Sequence, residues 1–196
     1  MNGFYIWFST GFAHIADLQG YDHILFLVAL CGSYTLKEWK GLLMLITAFT
    51  IGHSLTLALS VLRIINIDAG LVEFLIPVTI LFTCMFNLYK RNEPVKENFG
   101  GNYWLALIFG LIHGLGFSTL LRSLLGSADN ILSPLFAFNI GLEAGQLIIL
   151  TVILLFSVAL TSLFKIQRNR LDFFISSAVF GIAFMMAVER FGELVK

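Results

Sequence analysis

Residues 131–164 read ILSPLFAFNIGLEAGQLIILTVILLFSVALTSLF, a run whose only charge is Glu143. A helix needs about 20 apolar residues to cross ~30 Å of hydrocarbon, and this segment exceeds that length. Ser133-Pro134 near its start supplies a helix cap and a first-turn proline. A lone carboxylate inside so apolar a run marks a membrane-spanning helix that carries a functional group.

Four more segments repeat the pattern. Gly41–Leu62 and Gly100–Leu121 are uncharged, Ala69–Tyr89 carries only Glu73, and Phe173–Val188 is shorter but uncharged. Pro77 predicts a kink in the third span. At the start of the chain, Met1–Ala16 and Ile24–Leu36 are both apolar and both short. They are separated by the polar stretch Asp17-Leu18-Gln19-Gly20-Tyr21-Asp22-His23. The expected fold is therefore all-α. Residues 1–196 form one polytopic transmembrane bundle of six spans, the first beginning near Gly20. An N-terminal half-helix precedes it, and seven spans is the alternative.

Composition agrees. Of 196 residues, 58% are hydrophobic and 12% charged, against roughly 45–50% and ~25% in soluble proteins, and mean hydropathy is +0.90. A water-soluble globule of this size could not hide so much apolar surface, which excludes a soluble enzyme, a disordered chain and a nucleic-acid binder. Net charge is zero. Cys31 and Cys84 sit in apolar runs with no C-x-x-C spacing and give no disulfide or zinc signal. No Lys or Arg precedes the first apolar stretch, so a cleaved signal peptide is not expected. With six spans, Lys37, Lys40, Lys90, Arg91, Lys96, Lys165, Arg168 and Arg170 fall on one side, and Arg63, Arg122, Arg190 and Lys196 on the other. Eight against four places both termini outside the cytoplasm by the positive-inside rule.

The polar exceptions are more informative than the apolar background. All four histidines, His14, His23, His53 and His113, lie in or beside apolar segments, together with Asp17, Asp22, Glu73 and Glu143. A charge at the centre of a membrane helix costs ~2.5–3.5 kcal/mol on insertion scales and is a functional site by default. From the rise per residue, His53 lies roughly 21 Å into its span from Trp39, His113 roughly 16 Å from Asn102, and Glu143 about 14 Å from Pro134. With His23 and Glu73 opening their spans from the outer side, all five are expected between mid-membrane and the outer surface. Asn139, Glu143 and Gln146 share one helix face. Gly110-Leu111-Ile112-His113-Gly114 and Gly141-Leu142-Glu143-Ala144-Gly145 are small-xxx-small frames, expected to pack together and bring His113 to Glu143. Singly, Asn87, Asn139 and Gln146 are also common interhelical hydrogen-bonders, and Asp22 and Glu73 suit helix N-termini. Several imidazoles and carboxylates at one depth suit a borderline divalent ion such as zinc, copper, iron or nickel, while the lack of a thiolate set argues against copper(I) storage and iron–sulfur clusters. No G-x-S-x-G elbow or phosphate loop is present. The twenty phenylalanines read as lipid-facing or core residues.

Two short matches hint at an inverted three-span repeat. Gly20–His23 parallels Gly110–His113, and Ala48–Gly52 parallels Ala137–Gly141. Transporters bind substrate between such halves.

The segments GFAHIADLQGYDHILFLVAL, AFTIGHSLTLAL, LVEFLIPVTI, FGLIHGLGF and AFNIGLEAGQL, spanning about Gly11 to Gln146, resemble the HupE/UreJ family of hydrogenase and urease accessory membrane proteins. The resemblance implies a nickel or cobalt permease of a bacterial inner membrane, with His14, Asp22 and His23 handling the metal. His14 stands farther from Asp22 than the family pattern sets its first histidine.

The expected function is binding of a divalent transition metal (nickel, cobalt or zinc) and its transport into the cytoplasm. His14, His23, His53 and His113 are the nitrogen ligands, with Asp17, Asp22 and Glu143 as oxygen donors. Glu73, Asn87, Asn139 and Gln146 support the site, and Glu73 attracts cations to the mouth. The alternatives are an intramembrane zinc hydrolase that uses the same ligands with an open position for water, and a haem carrier with opposed histidines. The expected partners are the bilayer and the metal ion.

Overall fold

The computed structural model describes residues 3–18, 20–32, 34, 36–90, 99–125 and 131–196; Gln19 of the polar stretch and the loop cations Arg91 and Lys96 lie outside them. All regular structure among the described residues is helical. It comprises α1 (Gly3–Ile15), α2 (Asp22–Gly32), a 3-10 turn (Leu36–Glu38), α3 (Trp39–Val61), α4 (Ala69–Lys90), α5 (Phe99–Leu125), α6 (Leu132–Ser162) and α7 (Arg168–Leu194). Helices α3 to α7 are each long and apolar enough to cross a membrane.

The first two helices are not. α1 has 13 residues and α2 has 11, rises of ~20 Å and ~16 Å. Their packing shows how they combine. Ile15 of α1 sits with Leu57 late in α3, Leu121 and Leu125 late in α5, and Leu135, Phe138 and Leu142 early in α6. Leu27 and Cys31 of α2 sit with Leu42, Leu45 and Ile46 early in α3, and with Leu150 and Leu154 late in α6. One short helix fills each half of the bundle's thickness, and together their ~36 Å makes one crossing. The half-helix and the short first span read from the sequence are thus two parts of a single interrupted span. The interruption falls on the polar stretch between them.

Two helix pairs are packed backbone to backbone. A Cβ on Gly110 of α5 would strike the Phe49 carbonyl of α3, and one on Gly52 of α3 would strike the Leu107 carbonyl of α5. In the other pair, Gly11 of α1 meets the Phe138 carbonyl of α6, and Gly141 of α6 meets the Phe8 carbonyl of α1. The two patterns superimpose: Gly11 answers to Gly110, Phe8 to Leu107, Phe138 to Phe49 and Gly141 to Gly52. One helical turn later the partners trade sizes, Gly145 lying against Ile15 and Gly114 against Thr56. This is the repeat, and three crossings separate its copies, so one is inverted relative to the other. The Ala48–Gly52 and Ala137–Gly141 match holds. The other match is corrected, because Gly110–His113 corresponds to Gly11–His14 in the first half of the interrupted span, not to Gly20–His23 in the second.

The same contacts overturn the expected packing of the two small-residue frames on each other. The frame at Gly110 and Gly114 receives α3, and that at Gly141 and Gly145 receives α1. Each frame was already occupied by its partner inside the repeat. The start of α6 also differs from expectation. Ile131 holds the cap position with no side-chain hydrogen bond, and Ser133 and Pro134 lie in the first turn, where proline's missing N–H costs nothing. Pro77 lies within α4.

Candidate metal centre

Each histidine reaches the centre of the bundle from a different helix. His14 ends α1, His23 begins α2, His53 lies midway along α3, and His113 lies midway along α5. Their ring centroids are 4.7 Å apart for His14–His23, 5.1 Å for His23–His113, 5.9 Å for His14–His53 and 6.0 Å for His23–His53. His23 stands in the middle. One ligand atom from each of His14, His23 and His53 lies within 4.8 Å of the others, and the same holds for Asp22, His23 and His113. The interrupted span makes this possible, since the end of α1 and the beginning of α2 each present an imidazole at the break.

Hydrogen bonds fix which nitrogen of two rings faces inward. Asp22 Oδ1 lies 3.1 Å from His23 Nδ1 and, as a carboxylate, can only accept. His23 therefore carries its proton on Nδ1 and leaves Nε2 with a lone pair. Thr79 on α4 acts similarly on His113. Its hydroxyl donates to the Ile76 carbonyl at 2.7 Å, so toward His113 Nε2, 3.0 Å away, the oxygen must accept. The lone pair of His113 is then on Nδ1. Oxygen acceptors behind metal-binding histidines set tautomer and orientation in just this way.

Five of the remaining nitrogens are orphaned. His14 Nε2, His23 Nε2, His113 Nδ1 and both ring nitrogens of His53 are buried without a hydrogen-bond partner. His53 and His113 are fully buried and His23 is 4% exposed. Each unsatisfied buried polar group costs about 1–3 kcal/mol, so five together rival the ~5–15 kcal/mol net stability of a typical protein. Aromatic rings close the surroundings: Phe117 lies 4.0 Å from His14, Phe49 5.2 Å and Phe26 5.5 Å from His113, and Phe138 5.9 Å from His14. Phe49 and Phe138 are repeat-equivalent and flank the cluster from α3 and α6.

The remaining sequence candidates lie elsewhere. Asp17 is exposed at the break, its carboxylate beside Gly20 with that of Asp22 on the other side. Glu143 of α6 accepts a hydrogen bond from Thr47 of α3 at 3.1 Å and lines a groove with Asn139. Gln146 accepts from Thr50 at 2.7 Å. Glu73 forms an ion pair with Arg190 at 3.1 Å where α4 meets the end of α7. Asn87 donates to the Ala29 carbonyl at 2.7 Å, and Arg168 donates to that of Gly32 at 3.1 Å, so together they cap α2. Sequence reasoning missed Thr79 and the phenylalanine walls. A threonine back-bonded within a membrane helix has no local signature, and nothing distinguishes these four phenylalanines from the other sixteen until the helices are packed.

A family model described as HupE / UreJ protein matches residues 1–190. The chain belongs to the HupE/UreJ family. Comparison with curated proteins and with solved structures returns no match. In this HupE/UreJ member, His14, Asp22 and His23 of the quoted motif sit at the interrupted span, and the later motif segments supply His53 and His113 to the same centre.

Proposed function

We propose that the chain binds a divalent transition metal of the nickel, cobalt or zinc class at the four-histidine cluster and passes it across a bacterial inner membrane into the cytoplasm. The observation that carries this reading is the set of five buried, unpartnered imidazole nitrogens converging from four helices. Imidazole suits these borderline ions. Bonds of ~2.0–2.1 Å require the ligand atoms, now within 4.8 Å of one another in each triad that His23 shares, to close in on the ion. Asp22 acts by holding His23 rather than as a ligand, and the carbonyl end of α1 adds the negative pole of a helix dipole. Both termini face outward in this reading, with Lys37, Lys40, Lys165, Arg168 and Arg170 on the cytoplasmic side.

Two features favour transport over hydrolysis. Interrupted spans within inverted repeats are a recurrent design of transporter binding sites. Beyond the cluster, Thr79, Thr83 and Asn87 follow one another along α4 toward Ser176 and Asp172 of α7, and Ser176 donates to Asp172 at 3.2 Å. Buried Phe26, Phe49, Ile80 and Val179 close the way between them, so release requires α2 to move against α4 and α7. The break needs water or protein for its backbone groups and serves as the outer access. Purified protein reconstituted in liposomes tests the reading. Nickel, cobalt or zinc should accumulate in wild-type vesicles and fall to the empty-vesicle level in His53→Ala and His113→Ala. Uptake retained in both variants would overturn it.

A further inference from the structure

A second polar site lies between α3 and α6. The groove there has a volume of about 460 Å³, with Thr47, Thr50 and Ser54 of α3 facing Asn139 and Glu143 of α6 over apolar side chains, and among the described residues no lysine, arginine or histidine lines it. The hydroxyl hydrogens on its polar wall are committed elsewhere. Thr47 donates to Glu143 Oε1 at 3.1 Å, Thr50 to Gln146 Oε1 at 2.7 Å and Ser54 to the Thr50 carbonyl at 2.6 Å. Asn139 Nδ2 donates to the Leu135 carbonyl at 2.8 Å, which leaves Oδ1, buried and without a partner. A hydroxyl has one hydrogen to give, so lone pairs remain: three hydroxyl oxygens, one amide oxygen and a carboxylate.

Oxygen lone pairs dominate this wall, against the second amide hydrogen of Asn139 and the unpartnered Nε2 of Gln146 behind Thr50, and with one negative charge they match a cation. All of its donors are hard oxygens, which suit alkali and alkaline-earth ions and not the borderline metals that prefer imidazole. The charge count then selects valence. One carboxylate with a monovalent cation is neutral, whereas a divalent ion would leave uncompensated charge in the bilayer, an expensive arrangement.

We propose that Glu143, Asn139, Thr47, Thr50 and Ser54 form an alkali-cation site distinct from the histidine cluster. α3 carries both, with Ser54 on the groove and the adjacent His53 on the cluster, so filling the groove changes how α3 seats against α6 and thereby couples the two sites. That coupling rests on the metal-transport reading; alkali-cation binding itself does not.

Thermal unfolding of the purified protein in sodium chloride, potassium chloride and choline chloride at equal ionic strength tests the proposal, because a ligand of the native state raises the midpoint in a saturable way. Sodium or potassium should raise the midpoint above choline in wild type, and Glu143→Gln should abolish the difference. Asn139→Asp, with a second carboxylate, should respond to calcium where wild type does not. Binding of radioactive sodium to the wild type gives a readout that needs no variant. The proposal falls if choline matches both salts, if Glu143→Gln keeps the full response, or if only pH shifts the midpoint, which would mean a proton alone. A protein that binds sodium and no transition metal upholds this proposal and refutes the preceding one, and the opposite result does the reverse.

Discussion

Asp22 and Thr79 each control one proton, and through it the direction of a lone pair. Asp22→Asn replaces a carboxylate that only accepts with an amide that also donates, so the His23 tautomer is no longer enforced. Losing such a partner typically costs 10–100-fold in metal affinity, and that loss is expected in an isothermal titration of Asp22→Asn with nickel. Thr79→Val, nearly the same shape without the oxygen, should lose affinity in the same range through His113 while the protein stays folded. Unchanged affinity in both would mean the hydrogen bonds seen at 3.1 Å and 3.0 Å do not orient the ligands. The histidines themselves were legible in the sequence, because four imidazoles in apolar runs have no cheap explanation. Their partners were not. Glu143 was set beside His113 by its depth and by the two small-residue frames, and neither says which way a side chain points around its helix.

At the scale of helices, the close pairs α1–α6 and α3–α5 depend on hydrogen-sized side chains. Gly52→Leu and Gly110→Leu would drive a branched side chain into the facing backbone and separate helices that both carry histidines. Loss of monodisperse protein in size-exclusion chromatography is expected for both. Gly181 and Gly192 of α7 have nothing within 4 Å of an added Cβ, so alanine there should stabilise by about 0.5–1 kcal/mol through helix propensity. A thermal-unfolding comparison of the four variants would show the contrast. The long spans were legible because hydropathy measures what they bury in. The first span was divided because its polar stretch is an interruption within one crossing, and composition cannot separate that from a loop between two. The repeat register was misread for a related reason: the Gly-x-x-His spacing occurs on both sides of the break, and only backbone contact tells the copies apart.

For the whole molecule, the proposed topology of six crossings with an interrupted first span puts both ends of the chain on the same side. A reporter fused after Lys196 should behave as external, with alkaline phosphatase active and green fluorescent protein dark, and reporters inserted in the loop between α4 and α5 should behave oppositely. The same result at both positions would contradict the arrangement. The charge asymmetry used for this orientation was readable in the sequence, whereas the burial of Arg168 against α2 was not, since it depends on the cap at the Gly32 carbonyl.

In the proposed site, imidazoles from four helices meet around one ion. X-ray absorption spectroscopy of the cobalt-loaded protein, with each of His14, His23, His53 and His113 changed to alanine in turn, measures it most directly. The account predicts a single cobalt per chain with strong imidazole scattering in wild type, and weaker imidazole scattering with lower affinity in each variant. A cobalt environment of oxygen alone, or spectra that none of the four substitutions alters, would contradict it.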